Sequence, residues 1–220
     1  MNPTTSSDER PSNADAAGSA ARPVAMPVRG LLALSTGLLQ LERLLIMGFM
    51  YLLCGLILLN VVTRYSGMPI YWVDESAVYS VVWLTFIGAS AMTRLRLDFA
   101  VTLLTERLPQ GLANICKVIS SLGIVVFGGL LLWMCWLWLD PVGFAQAGFD
   151  AKAFAGKTFN FIYTERTQTL NWPTWVLYLI MPIFAVSMMV HGLANVVEDL
   201  GLAPRAQLRG FPFGEASGIN

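Results

Sequence analysis

The sequence predicts an all-α membrane protein of four transmembrane helices with both termini on the cytoplasmic side. Three observations carry that expectation. Four long stretches, 44–63, 76–93, 118–139 and 172–197, contain no Lys, Arg, Asp or Glu, so every charged residue of the chain falls outside them. A helix rises ~1.5 Å per residue, and about 20 apolar residues therefore cross the ~30 Å hydrocarbon core of a bilayer. A charge near the centre of that core costs at least ~2.5–3.5 kcal/mol, which accounts for its exclusion from each run. None of the four runs has a polar face of the kind that buried helices of a water-soluble protein turn to solvent.

Composition narrows the function classes. The 220 residues are 55% hydrophobic and 13% charged, and an ordinary soluble domain is about 25% charged. The formal net charge is zero, so no nucleic-acid partner is implied. Cys54, Cys116 and Cys135 are an odd set in or beside apolar runs, which suits packing and implies no disulfide framework. No cleavable signal peptide is expected, because 1–27 lacks an apolar core; the first apolar run would act as an uncleaved anchor.

Each element can be justified in order. Residues 1–27, rich in Ser, Ala, Asn and Pro, are expected to form a disordered cytoplasmic tail. The apolar run 31–41 is too short to span and is set off by Glu42 and Arg43, so it is expected to be an interfacial helix at the start of a transmembrane domain, 28–200. The spans are placed at 44–63, 76–93, 118–139 and 173–197. The short 64–75 connection makes the first two an antiparallel hairpin. Asn171 is positioned to cap the fourth span with Pro173 in its first turn; Pro182 should kink it, and Gly201 should end it before a cytoplasmic tail, 201–220. In the second span Ala77, Ser80, Leu84, Gly88 and Ala91 make a mostly small-residue stripe, and in the third Ser121, Gly128 and Cys135 recur every seven residues. Such stripes let helices approach closely in lipid. Orientation follows the basic residues. Arg10, Arg22, Arg29, Arg43, Arg94, Arg96, Arg107, Lys117, Arg205 and Arg209 fall on one side, and Arg64, Lys152, Lys157 and Arg166 on the other.

Little in the chain could carry chemistry. A single histidine, His191, is better suited to a polar helix contact than to haem ligation. No metal-spaced cluster, phosphate loop or nucleophile triad is legible, so neither enzymatic activity nor a cofactor is expected. A self-sufficient transporter usually carries internal repeats and ionisable residues at mid-depth, and this chain has neither. The polar residues gather at the span ends instead. Arg64 closes the first span, while Trp72, Asp74 and Glu75 open the second, near enough for Arg64 to pair with either acid. Arg94 and Asp98 are one helical turn apart after the second span. In the 140–171 connection Phe144, Phe149, Phe154 and Phe159 recur every five residues, followed by Phe161 and Tyr163. At ~500° per five residues they cannot share one helical face. The rings either anchor this connection to lipid or to the chain's own helices, or form a docking patch, with Phe149 and Phe154 its candidates.

The run Asn60-Val-Val-Thr-Arg64, then Trp72-Val-Asp74-Glu75, then Val82-Trp83-Leu-Thr-Phe86-Ile-Gly88-Ala89 resembles the small membrane subunit of tripartite ATP-independent periplasmic (TRAP) transporters, the DctQ family. Leu108-Pro109, Trp172-Pro173, Tyr178 and Pro182 are also similar to the family pattern, over roughly 42–194. Asp98 stands where many members carry His, and the role of that His does not transfer. The resemblance implies a multi-pass protein of the bacterial inner membrane that braces a large DctM-type membrane subunit during cation symport. A periplasmic substrate-binding protein would deliver the substrate, typically an organic acid. The alternatives are a membrane anchor of a redox complex and the small subunit of a tripartite tricarboxylate transporter.

Overall fold

The computed structural model describes residues 26–96 and 109–204. Helix α1 runs Met26–Tyr65, α2 Tyr71–Leu95 and α3 Gln110–Leu139. Two short helices follow, α4 (Pro141–Gln146) and α5 (Ala151–Thr158), and the last span is split into α6 (Thr174–Tyr178) and α7 (Ile180–Asp199). Among the described residues, four helical stretches are long and apolar enough to cross a membrane. The four uncharged runs lie within them, the last from Thr174 onward. The chain is a multi-pass membrane protein.

The first helix departs from expectation. The run 31–41 is no separate interfacial helix but the beginning of a 40-residue α1, which also takes in Met26 and Pro27 from the expected tail. The physical reason lies at Glu42, where a break was expected. Its side chain turns inward and is 4% exposed, so the charge packs into the bundle without interrupting the helix. Forty residues rise ~60 Å, twice the hydrocarbon thickness. The rest of the expected N-terminal tail and 205–220 lie outside the described residues, as does Asp98.

Helix ends follow local chemistry. Arg96, at φ 55°, closes α2 by donating its N–H to the Met92 and Thr93 carbonyls. Asp140, at φ 37°, ends α3 and then caps α4 by accepting the Gly143 N–H. Asp150 caps α5 by accepting from the Lys152 and Ala153 N–H groups. The cap expected of Asn171 is absent: Asn171 is left-handed at φ 53° and Pro173 takes the N-cap position. The Asn171 carbonyl instead accepts from Arg166 Nη1 at 2.9 Å. The expected interruption near Pro182 is present as the break at Leu179, since proline has no N–H to offer the Tyr178 carbonyl one turn back. Gly201, at φ 70°, ends α7 with Leu202 N–H reaching back to the Val197 carbonyl.

Helix α7 is the hub. The strongest helix contacts are α3 with α7 and α1 with α2, and α7 also touches α2 and α1. The α3–α7 crossing is close because both sides carry glycine. A Cβ on Gly128 would lie 2.7 Å from Met189 Cγ and 3.3 Å from the Ala185 carbonyl oxygen. One on Gly192 would lie 2.9 Å from Val125 Cγ2. The heptad Ser121, Gly128 and Cys135 is buried in this crossing. On α2 the buried row is Val73, Ser80, Ile87 and Arg94, also seven apart. The expected small-residue stripe shares only Ser80 and Ala91 with the buried face, and a Cβ on Gly88 would meet nothing within 4 Å. Gly128→Val should therefore destabilise the bundle by about 1–3 kcal/mol through overpacking. Gly129→Val, whose Cβ points into open space, is the control for backbone effects. Thermal midpoints in detergent test this, and equal shifts for the two variants would refute the packing assignment.

Candidate functional site

Polar side chains gather at the two ends of the bundle. At the α1–α2 hairpin, Asn60 lies one turn before Arg64, which puts both on the α1 face turned towards the start of α2. Arg64 Nη2 donates to Asp74 Oδ2 at 2.8 Å and Arg64 Nε to Asn60 Oδ1 at 2.9 Å. Asn60 Nδ2 closes the triangle on Asp74 Oδ1. With side chains 62% and 48% exposed, the ion pair contributes about 0–1 kcal/mol, and its role is to set the hairpin. Asn60 thus ties two helices together. Trp72, in the first turn of α2, is exposed.

Glu75 has different partners. It accepts the N–H groups of Gln168 (2.9 Å), Thr169 (2.7 Å) and Leu170 (2.9 Å), and the Thr169 hydroxyl as well. Three consecutive N–H groups aimed at one point form an anion-binding concavity, filled here by the chain's own carboxylate. The two acids anticipated as alternatives for Arg64 are therefore divided. Asp74 fixes the hairpin, and Glu75 fastens the α5–α6 loop to α2.

The long connection is folded, and aromatic rings hold it. The Phe144 ring stacks on Tyr163 at 3.9 Å, and the Phe154 ring meets both edge-on. Tyr163 donates its hydroxyl to the Leu139 carbonyl at 2.6 Å, and Asn160 Nδ2 donates to the Trp138 carbonyl at 2.7 Å. These bonds satisfy carbonyls at the end of α3 that have no helical partner. Burial, and then the Asp140 carboxylate, raises the Tyr163 phenol above its ordinary value, so it stays protonated as a donor. Phe154 is 1% exposed and belongs to this internal cluster, whereas Phe149 is 71% exposed. The two expected docking candidates are therefore not equivalent.

At the opposite end, the second half of α2 delivers Arg94 to α7. Arg94 is 2% exposed. It grips Glu198 through Nη2 to Oε1 (2.6 Å) and Nη1 to Oε2 (3.1 Å), and also donates to Asn195 Oδ1 at 2.6 Å. Asn195 returns Nδ2 to the Thr93 carbonyl at 2.8 Å. Arg96 Nη1 reaches Asp199 Oδ1 at 2.6 Å, and Ser121 brings α3 into the cluster through Asp199 Oδ2 at 3.0 Å. Arg94 is thus not simply a basic anchor at the membrane surface but half of a buried, bidentate ion pair.

A third cluster joins α1 to α7. His191 lies with Nδ1 2.8 Å from Ser35 Oγ and Nε2 3.1 Å from Glu42 Oε2. A carboxylate only accepts, so Nε2–H donates to Glu42, while Nδ1 shares a hydrogen bond with the Ser35 hydroxyl. Ser, His and Glu in that order have the makings of a nucleophile triad. Ser35 and His191 are 0% exposed and Glu42 4%, however, so nothing reaches the hydroxyl. Both ring nitrogens are engaged, and neither is left for a haem iron. Among the described residues, no group of His, Cys, Asp and Glu is arranged to hold a metal ion.

Sequence reasoning missed Ser35, Glu42, Asn195, Glu198 and Asp199. The available signal was spacing: His191, Asn195 and Glu198 follow at four and three residues on one face of α7, and Ser35 and Glu42 are seven apart on α1. Removing the Glu75 carboxylate isolates the part it plays. Glu75→Ala should raise amide hydrogen exchange at Gln168, Thr169 and Leu170 by about tenfold or more, equivalent to roughly 1.4 kcal/mol. Asp74→Ala should leave those amides protected. Unchanged protection in Glu75→Ala would contradict the fastening role.

The comparisons agree with this architecture. No curated protein and no solved structure matches the chain. The family model described as "Tripartite ATP-independent periplasmic transporters, DctQ component" matches residues 53–202, more than half of the chain. That stretch takes in the hairpin cluster, the folded connection and all of α7, and the chain belongs to the DctQ family, the small permease subunit of TRAP transporters.

Proposed function

We propose that this small permease subunit braces a large DctM-type membrane subunit and does not itself move the solute. The large subunit would carry out cation-coupled uptake of an organic acid supplied by a periplasmic binding protein. The observation that carries the bracing role is where the charges are. The four spans hold no Lys, Arg, Asp or Glu in 44–63, 76–93, 118–139 or 172–197, so no ionised side chain waits at mid-depth for a cation or a carboxylate. The charges that enter the bundle, Glu42, Arg94 and Glu198, are engaged with His191, Asn195 and each other. Such bonds favour a fixed body over one that opens and closes around a ligand.

In this reading both termini are cytoplasmic, the α3–α6 connection faces the periplasm, and the membrane is the bacterial inner membrane. The distribution of Lys and Arg supports that orientation. A reporter fused after Asn220 should be active only inside the cell, and one inserted at Gly156 only outside. Reconstituted alone in liposomes, the chain should take up no organic acid under any sodium gradient; with its large subunit and binding protein present, uptake should appear. Uptake by the chain alone would overturn the bracing role.

A further inference from the structure

We infer that the groove between α3 and the broken last span is a phospholipid site, holding one acyl chain with its phosphate against Lys152. The groove has a volume of about 380 Å³. Leu132, Cys135 and Leu139 line it from α3, Leu179 and Pro182 from the last span, and Phe144 and Tyr163 from the connection.

Three features select the occupant. The first is polarity: the lining is carbon apart from the Cys135 thiol and the Trp136 and Trp175 indoles, and the Tyr163 hydroxyl is already engaged with the Leu139 carbonyl. Water would find few partners there, and an unfilled groove would forfeit dispersion contacts along its lining. The second is position. The walls belong to helices that span the membrane, so the nearest material able to fill the groove is hydrocarbon from the leaflet on the connection's side. The third is charge. Ala151 lines the groove together with Leu139 at the end of α3, and its neighbour Lys152 is exposed in the first turn of α5, where a lipid phosphate could meet it. Phe149 and Phe159 hold left-handed backbone, φ 60° and 55°, where glycine is the usual residue, and are 71% and 82% exposed.

Native mass spectrometry tests the site on the full chain released from nanodiscs of phosphatidylethanolamine and phosphatidylglycerol in equal parts. The chain should retain one phospholipid. Ala151→Trp, which fills the rim, should lower that occupancy by about tenfold or more, equivalent to roughly 1.4 kcal/mol. Lys152→Glu, a surface change that disturbs no packing, should lower retention of phosphatidylglycerol more than of phosphatidylethanolamine. Equal lipid retention by wild type and both variants would overturn the proposal. So would a complex with the large subunit that carries no such lipid and falls apart in Ala151→Trp, because the groove would then seat a protein side chain.

Discussion

Burying Arg94 and Glu198 between α2 and α7 is the constraint on which the rest of the bundle depends. Apolar faces alone hold membrane helices together weakly, because lipid tails are as apolar as the side chains they would replace. A guanidinium 2% exposed has few acceptable surroundings in such a medium. Here it has a bidentate carboxylate and the Asn195 amide oxygen. Leaving one partner unpaired costs about 3–5 kcal/mol, so α2 has one favoured rotation and depth against α7.

The same helix repeats the device along its length. His191, Asn195 and Glu198 lie on one face and engage α1 and α2, while the Gly192 side presses against α3. Two kinds of contact thus divide the hub, polar bonds on one flank and close glycine packing on the other. At the far end Glu75 fastens the connection that leads into the last span. The hub is therefore held at both ends, which suits the proposed bracing role. A groove remains beside Pro182, the proposed seat of a phospholipid.

The spans, the stop at Gly201, the interruption near Pro182 and the heptad of α3 were legible because they follow from local rules: hydropathy, proline's missing donor and the size of glycine. The Arg64 pairing was legible because a short hairpin leaves few partners, although only the structure separated Asp74 from Glu75. The buried clusters were not legible. Glu42 next to Arg43 looks like a membrane boundary, and its partner lies 149 residues away; nothing local distinguishes a boundary charge from one turned inward. Arg94 likewise fits the positive-inside pattern, and its partner Glu198 is 104 residues away. Phe154 and Phe149 are equally aromatic in sequence, and only the fold of the connection makes one a core residue and the other a surface residue.

The central claim is that the charges within this bundle hold it in shape and do not handle the solute. It is tested most directly by uptake per assembled complex, measured in the reconstituted tripartite transporter carrying Arg94→Met, Glu198→Met or both. Each single change should reduce the amount of assembled complex, the pair together less than the sum of the two, with uptake per complex close to wild type. Full assembly with uptake lost would contradict the account, because it would place Arg94 or Glu198 in the transport step itself.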